Sequence, residues 1–371
     1  MVNAPAWSSC SDTWFSRPAA RAWTGPPPPT GVAAFHRTLP GYAPTPLVEL
    51  PSLAAELGVR RVFVKDESSR LGLPAFKILG ASWGTYRALC DKYGWTGVPL
   101  SRLRVGPPRV RLITATDGNH GRAVAVMARL LGLAADVYVP YGVHPAAVGA
   151  IKAEGAALTE VPGPYDEAVR LAADVAASDP EALLVQDTSW AGYERVPQWI
   201  VEGYSTLFTE IDEQLAALDV APAGLVAVPV GVGSLAQAAV THYRSGPTRP
   251  TVLCVEPDAA ACVLASLHKN EPVTVETGST TMAGLNCTTP STLAWPVLRS
   301  GLDAAVAITD SDATQAAQDL SAFGISAGPC GAASLAGTRT ALAHRSALAP
   351  EHRETIVLLN TEGQAANPSL P

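Results

Sequence analysis

From Arg61 onward the chain alternates short β-branched runs with longer stretches whose apolar positions recur at helical spacing. RVFVKDE at 61–67 predicts a strand, and the pattern after it predicts a helix from about 76 to 93. RLITATD at 111–117 leads into a helix over 120–131, ADVYVP into one over 146–154, and ALTEVP into one over 166–177. ALLVQD at 182–187 closes that series. A long helix over about 196–218 opens a second series. GLVAVPVGVGS precedes a helix at 236–243, TVLCVEP one at 259–268, AAVAITD one at 312–323, and a helix over 333–347 precedes the strand ETIVLLN. Strands bounded by Gly and Pro and separated by helices are the pattern of βαβ units on parallel sheets.

The alternation predicts two α/β lobes: a small one over 84–190 and a large one from 35–83 with 191–371, preceded by an extended arm over 1–34. Pro26 to Pro29 keep that arm out of helix and central strand. In such architectures a ligand is expected between the lobes, at the carboxyl ends of strands.

Composition narrows the partner. The 371 residues are 47% hydrophobic and 16% charged, enough apolar material for a large buried core. A formal net charge of −7, with no basic run, speaks against nucleic acid and anionic membranes. No apolar stretch approaches the roughly 20 residues of a membrane span. Trp7, Ser8, Ser9 and Trp14 interrupt any signal-peptide core, so a cytoplasmic protein with a small-molecule partner is expected. Six cysteines without a CxxC pair signal neither zinc nor a redox dithiol, and a Cys262–Cys287 pair stays open. His36, His144, His242, His268, His344 and His352 lack ligand spacing, so no metal is expected.

Three strand-to-helix junctions carry candidate chemistry. Lys77 follows Gly72-Leu73-Pro74-Ala75-Phe76 at the start of a helix, and a desolvated lysine is a nucleophile towards an aldehyde. By itself it reads first as an ordinary surface lysine whose stem covers Phe76. Asp117-Gly118-Asn119-His120-Gly121 offers close backbone approach, an amide donor in Asn119 and a base in Asp117. A turn or helix cap is the ordinary reading of that run alone. Gly231-Val232-Gly233-Ser234 is a glycine loop suited to a phosphate; it lacks the lysine of a Walker loop and the full GxGxxG spacing of a dinucleotide site. Aldehyde, ring hydroxyl and phosphate are the three handles of pyridoxal phosphate.

Through FHRTLPGYAPTPL, FVKDESSRLGLPAFKILGAS, TATDGNHGRAVA, QDTSWAGYERVPQWIVEGY, MAGLNC and NTEG, the chain resembles the tryptophan-synthase-β-like pyridoxal enzymes. Within them it is similar to the diaminopropionate ammonia-lyases. The resemblance implies a two-domain fold type II enzyme, a homodimer, with pyridoxal phosphate on Lys77 as a Schiff base. It also implies Phe76 beside the cofactor, Asn119 on its ring hydroxyl, the amides of Gly231, Val232, Gly233 and Ser234 on its phosphate, and Thr361 facing the pyridine nitrogen. Lys77 and Asp117 become bases for the two enantiomers of a small amino acid. Asp187, with Tyr193, becomes a supporting or ammonium-binding group, and His120 orients its loop. One departure stands out: related enzymes carry a glutamate just before the Gly331-Ala332 step, where this chain has Cys330. Alternatives are a serine or threonine dehydratase, a β-replacement enzyme, a non-catalytic amino-acid binder, or a nucleotide-binding protein.

Overall fold

The computed structural model describes residues 13–105, 110–344, 348 and 353–366. Trp7, Ser8, Ser9, Cys10 and His352 lie outside the described residues, as does the expected helix end near 347. Eleven strands are present among the described residues: β1 Trp14–Ser16, β2 Leu47–Glu49, β3 Arg61–Asp66, β4 Arg111–Ala115, β5 Ala134–Pro140, β6 Ala157–Val161, β7 Ala182–Leu184, β8 Leu225–Pro229, β9 Thr251–Pro257, β10 Ala304–Ile308 and β11 Thr355–Asn360. The chain forms two compact units, one from residues 1–30, 44–69 and 207–364, the other from 31–43, 70–206 and 365–371.

The first unit holds a seven-stranded sheet in the order β1-β10-β9-β8-β11-β3-β2. Its five inner strands are parallel, and β1 and β2 close the two edges antiparallel. Strands β8 to β11 are buried at every position, which is why they read as continuous apolar runs rather than alternating ones. The helix Pro329–Ala343 lies on this sheet, and Gly337 brings it close: a Cβ there would sit 2.3 Å from Val255 Cγ2. Inside this unit Lys65 of β3 is wholly buried, and its ammonium donates to Glu210 at 2.6 Å, Gln214 at 2.8 Å and the Thr45 carbonyl at 2.9 Å. A buried cation is tolerable only when its donors are matched in this way.

The second unit holds a parallel four-stranded sheet in the order β6-β5-β4-β7. The helices Ile78–Tyr93, Asn119–Leu131, Pro145–Ala153 and Tyr165–Ser178 start within two residues of the positions the periodicity predicts.

The arm departs from the expected extended segment. Trp14–Ser16 adds to β10, Trp14 stacks on His344 with ring centroids 4.9 Å apart, and a 3₁₀ turn follows over Pro18–Ala22. A three-residue edge strand is too short to show alternation, so pairing alone reveals it. The histidines do structural work: His36 is buried between Thr206, Leu79 and Ser82, His144 caps Ala146, and His242 meets Asp212 at 2.7 Å. Cys262 and Cys287 do not form a disulfide. Among the described residues no helix is long and apolar enough to cross a membrane.

Candidate active site

Parallel pairing of β4 with β7 brings two segments 71 residues apart to one sheet edge. The register Ile113↔Leu184 continues in a bond from Val185 N–H to the Ile113 carbonyl at 2.8 Å, so the chain after β7 runs beside the loop after β4. Gln186 cements them, its carbonyl oxygen accepting from Ala115 N–H at 2.9 Å and Thr114 Oγ1 at 3.1 Å. Thr116 shapes the loop itself, its hydroxyl accepting from the amides of Gly118 and Gly121 at 2.9 and 3.0 Å. Gly118 has φ +156°, a conformation open to glycine, and a Cβ on Gly121 would lie 2.2 Å from Thr116 Cγ2. Both glycines of the DGNHG run are therefore required by geometry.

Asp187 stands where these segments meet, and it does not cap a helix. Its Oδ2 accepts from Lys77 Nζ at 2.8 Å and lies 3.7 Å from His120 Nδ1. The other ring nitrogen of His120 is 2.8 Å from the Val185 carbonyl, tying the helix start to the strand end. Burial pulls Lys77 down, but Asp187, Tyr204 and Asp117 together outweigh it, and the lysine ends well above its ordinary value. Burial would raise Asp187; His120 and Lys77 beside it bring the carboxyl instead to about 2. His120 is held below its usual range by burial, so at neutral pH the cation that Asp187 faces is Lys77. Asp117 is exposed in the loop after β4 yet contributes to the field at Lys77.

Phe76 is buried under the lysine, with Nζ 5.5 Å from its ring centroid. Asn119 begins the helix Asn119–Leu131. Tyr193 supports rather than faces the cluster: its hydroxyl accepts from Gln186 N–H at 2.9 Å and donates to the Leu184 carbonyl at 2.8 Å, clamping the backbone on either side of Val185. Sequence reasoning missed Tyr204, whose ring packs on Phe76 at 4.9 Å. Its signal was Gly80, which sits inside a helix for no reason visible in the sequence. A cavity of about 850 Å³ in the same unit is lined by Phe35, Trp83, Tyr86, Trp95 and Trp199 and by none of the candidate residues.

In the first unit the glycine loop follows β8 and opens the helix Ser234–Ser245. Gly233 has φ +98°, and a Cβ on Gly231 would meet Cys287 Sγ at 2.9 Å. Among the described residues none of the amides of Gly231, Val232, Gly233 and Ser234 donates to a protein acceptor, while the Val232 carbonyl is held by Ser291 N–H at 2.8 Å. Four free amides on a braced loop at a helix N-terminus fit a phosphate. Strand β11 is the parallel neighbour of β8, and the register Leu358↔Ala227 sets Thr361 level with the start of the loop. The position of the absent glutamate holds Cys330, buried in the apolar core. Next to it, a Cβ on Gly331 would lie 2.0 Å from Asn360 Oδ1.

A lysine beside carboxylates and a free-amide loop with a neighbouring hydroxyl fit the amine and phosphate demands of a pyridoxal cofactor. Residues 38–362 match the family model described as pyridoxal-phosphate dependent enzyme. The diaminopropionate ammonia-lyase of Salmonella typhimurium strain LT2 is 39% identical over 292 residues, 75% of this chain and 72% of that protein. The selenomethionine holo diaminopropionate ammonia lyase from Escherichia coli superposes with a TM-score of 0.83 at 32% identity, covering 94% of this chain and 91% of that one. The same enzyme in complex with D-serine gives 0.82 at 33%, covering 95% and 90%. By this match and the residues that carry it, the chain belongs to the pyridoxal-phosphate-dependent enzymes, in the branch of the diaminopropionate ammonia-lyases, and its cofactor is pyridoxal phosphate.

Proposed function

We propose that this protein eliminates ammonia from 2,3-diaminopropionate, giving with one water pyruvate and two ammonia. The observation that carries the reading is Lys77 paired with Asp187 at 2.8 Å and lying in the field of Asp117, in a chain 39% identical to a diaminopropionate ammonia-lyase. Pyridoxal phosphate, when bound, supplies the electron sink that makes the Cα proton of an amino acid removable. Lys77 would carry the cofactor aldehyde through its amine, and the amides of Gly231, Val232, Gly233 and Ser234 would take the phosphate. Asn119 would hold the ring hydroxyl and Phe76 would wall the ring. Thr361 would face the ring nitrogen with a neutral hydroxyl, which leaves the sink weak and favours prompt loss of a β-substituent.

Two bases serve the two enantiomers. The freed Lys77 amine takes the Cα proton of one, and the carboxylate of Asp117 takes that of the other. Asp187 holds the lysine in place and offers a carboxylate to the substrate's β-ammonium. Asp117 is exposed and Asp187 is largely buried, which separates a group meeting incoming substrate from one bracing the lysine. The resemblance supports a homodimer as the working form, and sedimentation of the holoenzyme checks it.

The test is product stoichiometry with variants. The wild type should release twice as much ammonia as pyruvate and show a visible cofactor band that Lys77→Ala lacks. Asp117→Asn should lose turnover of one enantiomer by about 100-fold or more while keeping the other. Equal ammonia and pyruvate from serine, with no turnover of the diamine, would replace the reading with a dehydratase.

A further inference from the structure

Tyr204 lies in the third turn of the helix Arg195–Ala217 and is fully buried. Its ring and the Lys77 ammonium share one wall, the ring of Phe76, at 4.9 Å and 5.5 Å. Two helices are brought unusually close to seat it. A Cβ on Gly80 would lie 2.5 Å from Tyr204 Cε1, and a Cβ on Gly203 would lie 2.4 Å from the Leu79 carbonyl oxygen. Glycine inside a helix is unfavourable, so two of them at one crossing mark a contact that has been kept for the ring between them. Yet the ring is a tyrosine, and among the described residues its buried hydroxyl has no partner at hydrogen-bond distance, although the Lys77 ammonium is close enough to act on it. Phenylalanine would fill the same space without leaving an unsatisfied polar atom. Burial pushes the phenol up to about 12, so it is neutral, and the Lys77 ammonium is the strongest charge opposing that rise.

We propose that Tyr204 is a positioning residue for Lys77: its hydroxyl oxygen accepts one N–H of the lysine amine whenever that amine is free, while Asp187 accepts another. With two of its directions held, the third points where the substrate's Cα proton is exchanged. The inference rests on Lys77 being the cofactor lysine and a base, as proposed above. The groups that face the amine are Asp187 from the segment after β7, Asp117 from the loop after β4 and Tyr204 from the long helix. His120 lies 3.7 Å from the Asp187 carboxylate and feels the Lys77 charge directly.

The experiment uses the holoenzyme and Tyr204→Phe, which keeps the ring and removes the hydroxyl. Melting temperature, visible absorbance, kcat and KM for diaminopropionate are measured from pH 6 to 10. The visible band and melting temperature should stay, KM should change by less than about twofold, and kcat should fall about 10- to 100-fold, the loss expected from a misoriented reacting group. The acid limb of kcat should also move to lower pH, because the protonated amine has lost an acceptor. An unchanged kcat and limb, or a loss confined to stability, overturns the inference. Should the variant fail to fold, fluorotyrosine at 204 keeps ring and hydroxyl and weakens the acceptor, and a limb that stays in place overturns it equally. Lys77→Ala that retains the visible band defeats the underlying reading; a bandless Lys77→Ala beside a wild-type-like Tyr204→Phe defeats only the role of Tyr204.

Discussion

Replacing Asp187 by Asn tests the electrostatic core of the site in the cofactor-free protein. The substitution keeps the shape and removes the charge that Lys77 meets at 2.8 Å. Its carboxyl is brought from 3.8 to about 2 in the folded state. At about 1.4 kcal/mol per pKa unit, that depression, to which protonated His120 contributes ahead of Lys77, sets an upper bound of about 2 kcal/mol on what the Lys77 pair alone contributes at neutral pH, where His120 is neutral. A carboxyl depressed on folding contributes this stability above its unfolded pKa, near 4, and gives it up as pH falls towards 2. From the lysine side the same interaction, counted once, persists below about 10.4 and fades as pH rises through the elevated folded value. Urea unfolding of cofactor-stripped wild type and Asp187→Asn should therefore show a midpoint gap that is constant from pH 7 to 9 and narrows below pH 4. The slope against urea should be the same in both. A gap that is absent at pH 7, or equally large at pH 3, would refute the assignment of this stability to the ion pair.

Further outcomes follow from the same geometry. Gly233→Ala places a Cβ at φ +98° and 2.8 Å from Leu298 Cδ1, so equilibrium titration should show pyridoxal phosphate affinity reduced about tenfold, the cost of about 1–2 kcal/mol for a side chain in left-handed backbone. Tyr193→Phe strands the Gln186 N–H and the Leu184 carbonyl, and should lower unfolding free energy by about 1–3 kcal/mol. Gly121→Ala drives a Cβ to 2.2 Å from Thr116 Cγ2, and the DGNHG loop should lose hydrogen-exchange protection at Gly118 and Gly121, whose amides are both held by that threonine's hydroxyl.

Most of the run of strands and helices from Arg61 to Asn360 was legible in the sequence because each buried parallel strand leaves a continuous apolar run and each long helix a periodic one; the short helices Leu100–Val105 and Ala294–Gly301 were not. The three junction motifs were legible because glycine, lysine and aspartate there have few cheaper explanations in combination. The edge strands Trp14–Ser16 and Leu47–Glu49 were not legible, since three residues carry no measurable period and their pairing is a tertiary event. Sequence also determined that Lys77, Asp117 and Asp187 were candidates, but not that they share a field. That was decided by the register of β4 on β7, which sets the chain around residue 187 beside the loop after β4, a coincidence invisible across 70 intervening residues. Tertiary structure alone showed the Tyr193 hydroxyl bonded to the backbone on either side of Val185, and it alone revealed Tyr204, because a helix pattern reports which positions are buried and not what each buried group meets. Hydroxyls and charges act at distances near 3 Å, and only the folded chain sets distances of that order.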